Sequence, residues 1–262
     1  MTCKRLTALL VVAQCLFVAL AQASDRPGCA GPIEISAATI VRVEKNGALI
    51  LRDGRAAHLE GIRLPAGSND HAPKVFADQA LATLAELVVG NRLDFAAVPP
   101  KEDRYDRVRA QVFLGSAWIQ SELLRRGLAR VSIAPDRIEC AEELYAAEKW
   151  ARTRRAGLWT SPAYAVRRPG NVGADFGTFQ IVEGSVAMVA VKNGGAWLDF
   201  MPGPKASFAG VISSDDIKIY RAMGVDPRGY AGKTVRIRGV VQNLASGPGI
   251  AVANPIQVEV VQ

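Results

Sequence analysis

Histidine and cysteine are scarce in this sequence, and that scarcity limits its chemistry. Its 262 residues include 2 histidines, His58 and His71, and 4 cysteines. So few soft ligands disfavour a metal centre of imidazole and thiolate. Beyond residue 23 the chain lacks any apolar run long enough to cross a membrane. It also lacks a strong excess of one charge sign, with 32 Lys and Arg against 25 Asp and Glu. Residues 24–165 hold 20 basic and 18 acidic side chains, and residues 166–262 hold 10 and 7. A protein that coats DNA without specificity is thereby excluded, whereas local patches can still bind nucleic acid.

The first 23 residues read as an export signal. Lys4 and Arg5 precede an apolar run over residues 6–21, and Ala21-Gln22-Ala23 is a cleavage site. Gln14 before Cys15 does not suit a lipidated cysteine. The expected destination is periplasmic or secreted. Removing Lys4 and Arg5 leaves 30 basic against 25 acidic residues, a net charge of +5. The exported chain keeps only Cys29 and Cys140. An even pair in an oxidising compartment predicts a disulfide, worth about 4–5 kcal/mol in the chain-entropy model. Two unpaired buried thiols are the alternative.

Along the exported chain, residues 40–43 and 48–51 form a hairpin through Asn46-Gly47. Asp53-Gly54 turns into a strand over 56–62. A helix over 74–89 follows, with Phe76, Leu81, Leu84, Leu87 and Val88 on one face, and then a strand over 92–98. Residues 107–114 alternate Val108, Ala110, Val112 and Leu114 with Arg107, Arg109, Gln111 and Phe113, the pattern of a half-buried strand. A short helix from about Gln120 ends at Gly127. A further helix over 141–155 turns Leu144, Ala147 and Ala151 inward. Its far face carries Lys149, Arg152, Arg154 and Arg155, which a solvated surface explains more simply than a binding one.

Five strands with packed helices indicate an OB-fold barrel within residues 24–160. Residues 161–176, rich in Pro, Gly and Ala, read as a linker. Residues 177–262 show strands over 178–191, 196–200, 208–212, 233–241, 249–252 and 256–261. A helix capped by Ser213 or Ser214 follows the third strand. The expected class is α+β, mainly β: two OB-like barrels in tandem, the second of which, residues 177–262, folds independently. Phe179, Trp197, Phe200 and Phe208 are candidate stacking residues in the second barrel, although several must be core.

Asp103, Tyr105-Asp106-Arg107, Trp118, Gly127, Ala129 and Val131, closed by Gly157-Leu158-Trp159, resemble the core motifs of the thermonuclease (staphylococcal nuclease-like) family. The resemblance spans residues 36–160, with Asp106 where the family has Gly. It implies a barrel of the thermonuclease type. It also implies a calcium ion held by carboxylates, a glutamate that positions water, and two arginines on the phosphate. Here the chemical positions have changed. The first metal-binding Asp falls at Gly47, a phosphate Arg at His58, the second metal Asp at Arg63 and the catalytic Glu at Ala66. Only Arg107 is retained. A register that brings Glu60 into the site breaks the match at Leu59, Gly61 and Ile62.

The expectation is therefore an exported family member without calcium or any other cofactor. It would bind single-stranded nucleic acid or an envelope protein partner through tandem OB-type domains. Arg63, Arg107 and His58 are the candidate ligand-binding residues, the two arginines as a metal-free phosphate cradle. The alternatives are a phosphodiesterase with a rebuilt site, in which His58 is the base, and a scaffold indifferent to nucleic acid.

Overall fold

The computed structural model describes residues 26–200, 208–244 and 247–261. The expected export signal, residues 1–23, lies outside them. The first barrel contains β1 (Ile33–Val43), β2 (Leu49–Leu51), β3 (Ala56–Leu59), β4 (Ile62–Arg63), α1 (Lys74–Val88), β5 (Arg92–Ala96), β6 (Val108–Leu114), β7 (Ala117–Trp118), α2 (Ile119–Arg125), β8 (Arg130–Val131) and α3 (Ala141–Thr153). Asn46 Oδ1 accepts the Ala48 amide at 3.0 Å, and Gly47 takes a φ of 83°, so the first hairpin forms where its turn residues ask. β1 bends across two sheets and pairs with both β2 and β5. A parallel β3–β6 pairing then closes the ring β1–β2–β3–β6–β5. Leu49, Leu51, Leu84, Leu93, Phe95, Val112 and Leu123 fill it. Cys29 and Cys140 are joined as a disulfide, tying the N-terminal segment to the start of α3.

Two expectations change on this barrel. The strand over 56–62 is broken, because Gly61 turns with φ 84° and sends Ile62–Arg63 to pair with Arg130–Val131. β6 is buried on both faces rather than one, since Arg109, Gln111 and Phe113 are covered as well.

The second barrel repeats the plan. It comprises β9 (Phe179–Ser185), β10 (Met188–Lys192), β11 (Gly195–Asp199), β12 (Ala209–Ile212), α4 (Ile217–Ala222), β13 (Thr234–Leu244), β14 (Gly247–Ala251) and β15 (Val258–Val260). The long first strand bends between β9 and β10, where Val186 turns fully into the core. β9 pairs with β13, β10 with β11, β11 with β12, β12 in parallel with β14, and β14 with β13, closing the ring. In both barrels the third and fifth strands are parallel, and a helix joins the third to the fourth.

The barrels dock on each other. Arg238 on β13 and Glu148 on α3, each 1 % exposed, form an ion pair at 3.0 Å. Tyr145 Oη donates to the Ile256 carbonyl at 2.7 Å, and Asn254 Nδ2 to that of Pro135 at 3.0 Å. The segment expected as a linker lies in this seam. Tyr164 is buried, Arg167 pairs with Asp175 at 2.9 Å, and the Arg167 amide donates to the Ile181 carbonyl of β9.

Candidate functional site

A cleft of about 900 Å³ opens in the first barrel. Lys45, Asn46 and Gly47 of the β1–β2 turn line one wall, and residues 58–66 form the floor. Arg107, Arg109 and residues 132–135 close the other side. Parallel pairing sets His58 beside Arg109 and Leu59 beside Ala110, so that His58 and Arg109 share the cleft side while Leu59 and Ala110 face the core. The Gly61 turn lets the backbone run against α3, where a Cβ would stand 2.5 Å from Leu144 Cδ1.

Ion pairs dominate the cleft. Arg109 Nε donates to Glu60 Oε2 at 2.8 Å, and its Nη1 to Asp136 Oδ2 at 2.7 Å. Burial opposes the charge of Arg109, but the carboxylates of Asp136 and Glu60 outweigh it and raise its pKa. Arg107 lies 2.6 Å from Asp103, whose carboxylate also accepts the amides of Tyr105 and Arg107. Burial acts to raise the Asp103 pKa, but these donors leave it lowered. Arg63 lies 3.3 Å from the buried Asp70 and 4.9 Å from the centroid of Phe179, on the second barrel. Asp70 in turn accepts from the Ala66 amide at 2.8 Å, Arg130 at 3.0 Å and Tyr164 Oη at 3.3 Å. His58 is half-buried, and burial lowers its pKa, favouring the neutral imidazole at neutral pH.

Residues 57–161, from His58's own strand to the Gly157–Thr160 turn, match the family model described as Staphylococcal nuclease homologue. The first barrel belongs to that family. No curated protein matches the chain.

The nuclease-homologue barrel does not fit calcium. Ca²⁺ takes six to eight oxygens at about 2.3–2.6 Å, several from carboxylates. The two carboxylates lining this cleft, Glu60 and Asp103, are held by arginines. At Gly47, a Cβ would meet Leu64 Cδ1 at 2.8 Å, so space for a carboxylate side chain is partly filled by leucine. Among the described residues, one grouping of three potential metal ligands occurs, Cys29, Cys140 and Glu143, and its sulfurs are bonded to each other.

Gly47, His58, Arg63, Ala66 and Arg107 all line this one cleft. Arg63 and Arg107 nevertheless do not stand free as a phosphate cradle, because each guanidinium has its own carboxylate. Sequence reading missed Asp70, Arg109 and Asp136, which fix the cleft's charges. It also missed Gln111 and Gln120 beneath it: Gln120 Nε2 donates to the Ala110 carbonyl at 2.8 Å, and its Oε1 accepts the Val112 amide at 3.1 Å. Arg109 and Gln111 within an apolar strand were the available signal. In the second barrel Phe179, Phe200 and Phe208 are buried, whereas Trp197 lies half-buried on the outer face, with Lys192 Nζ 5.3 Å from its ring.

Proposed function

We propose that this chain is an exported, non-catalytic nuclease homologue that binds single-stranded nucleic acid through its second barrel. The ion pairing in the first cleft carries the reading. Each of the three guanidinium groups there has a carboxylate partner, and neither carboxylate lining the cleft is free to hold a metal or activate water. Such a site retains the family's shape without its chemistry. The binding half of the reading is supported by Trp197 on β11. Its strand neighbours Ala190 and Val211 are smaller and leave the indole prominent, and Lys192 supplies a cation beside it. The second and third strands of an OB barrel form the face on which oligonucleotides lie, and a base stacked on an aromatic ring contributes about 1–3 kcal/mol.

Retention on immobilised single-stranded DNA tests this. Binding should fall steeply as salt rises, and Trp197→Ala should weaken it by roughly 5- to 150-fold. Binding that ignores both salt and Trp197, or no binding at all, leaves the protein-partner and scaffold readings instead. One observation favours a second, enzymatic reading: His58, held neutral in the cleft, has the protonation state of a general base. Release of acid-soluble nucleotides that disappears in His58→Ala would establish it.

A further inference from the structure

The C-terminal ends of α2 and α3 meet on the surface of the first barrel, away from the cleft. Trp150, in the last turns of α3, is 37 % exposed. The guanidinium carbons of Arg125, from α2, and Arg154 lie 4.8 and 4.1 Å from its ring centroid. Lys149, Arg126 and Arg155 are exposed on the same two helix ends. Against these five cations stands Glu122, which is paired with Arg126 at 2.5 Å. Glu148 is buried in the interface with Arg238 and faces the other way. Among the described residues, Arg125, Lys149, Arg154 and Arg155 have no carboxylate partner. Arg152, placed by periodicity in the same basic run, is instead turned inward beside Glu148.

Helix C-termini attract cations, which explains arginines there but not an exposed indole among them. Four unpaired cations gathered within two helix ends repel one another unless an anion is brought to them. The five cations and Trp150 are all exposed to solvent. An exposed tryptophan ringed by arginine and lysine suits a flat anionic interface: the indole sits at the headgroup level and the long basic side chains reach the phosphates. We propose that the Arg125–Trp150–Arg154 patch docks this protein on an anionic phospholipid surface. This surface is separate from the Trp197 face.

Sedimentation of the chain from Ser24 onward with vesicles tests the proposal. Vesicles of phosphatidylglycerol and phosphatidylcholine should carry the protein down at low salt, and phosphatidylcholine alone should not. A surface-bound Lys or Arg contributes about fivefold in partitioning, so Arg125→Ala with Arg154→Ala should bind roughly 25-fold more weakly. Thermal unfolding of the double variant verifies its fold, and Arg92→Ala, an exposed change elsewhere on the barrel, controls for loss of charge alone. Equal binding to neutral vesicles, no binding to anionic ones, or a folded double variant that binds as well as wild type would overturn it. So would a double variant that loses single-stranded DNA binding while keeping its vesicle binding.

Discussion

Replacing Glu148 by alanine leaves Arg238 buried without its principal counter-charge. Glu148 Oε1 accepts the Val131 amide at 2.8 Å, and its Oε2 lies 3.0 Å from Arg238 Nη1. Arg238 also pairs with Glu259, donates to the Val131 carbonyl at 3.2 Å and lies 4.3 Å over Tyr145. Burial disfavours its charge, yet a guanidinium keeps its proton in proteins, so it cannot escape by losing one. Removing one member of a buried ion pair costs about 3–5 kcal/mol. At about 2–4 °C per kcal/mol for a folded body of this size, the melting temperature should fall by roughly 6–20 °C. Glu148→Leu combined with Arg238→Met should cost much less than the two single losses added together, because neither charge is left stranded. Calorimetry and urea unfolding of wild type, Glu148→Leu, Arg238→Met and the double variant give the cycle, with Glu148→Ala measured beside them. A Glu148→Ala cost below about 1 kcal/mol, or simple additivity, would refute the idea that this pair locks the barrels together.

Three other outcomes follow from the geometry. Gly61→Ala should destabilise by about 2–4 kcal/mol, since the methyl would meet Leu144 and the backbone has positive φ; Gly54→Ala, with positive φ but open space, should cost only about 1 kcal/mol, and equal costs would contradict the contact. Because the folded pKa of His58 lies below its unfolded value of about 6.5, its contribution is complete above that pH and is lost as pH falls through it. Urea midpoints should therefore show wild type losing more stability than His58→Asn between neutral pH and pH 5, and parallel losses would argue otherwise. Residues 177–262 contain a complete strand ring and should give a dispersed amide NMR spectrum when expressed alone; a collapsed spectrum would show that the barrel needs its neighbour.

Local signals made much of the fold readable. Asn46-Gly47 and Asp53-Gly54 marked turns that form, and the apolar spacing of α1 and α3 located their buried faces. The motif glycines and Leu59, Ile62 and Pro65 fixed the register that gathers Gly47, His58, Arg63, Ala66 and Arg107 in one cleft. What could not be read was pairing between distant residues. Arg63 finds Phe179, and Arg238 finds Glu148, 90 residues away in sequence. No local pattern encodes such partners. The alternation in β6 promised a wet face for Arg109 and Gln111, but Glu60, Asp136 and Trp118 cover them. Composition alone marked residues 161–176 as a linker, yet Arg167 bonds along β9 as an added strand residue would.

Calcium-dependent cleavage is the most direct measurement of whether the first barrel has lost its family's chemistry. The chain from Ser24 onward is incubated with denatured DNA and millimolar calcium, and acid-soluble nucleotides are followed against a chelator blank. Arg107→Ala serves as the control for contaminating nuclease. With Glu60 and Asp103, the carboxylates that line the cleft, held by arginines, release should match the blank in both proteins. Calcium-stimulated release by the wild type that vanishes in Arg107→Ala would contradict the non-catalytic reading and make this barrel an enzyme.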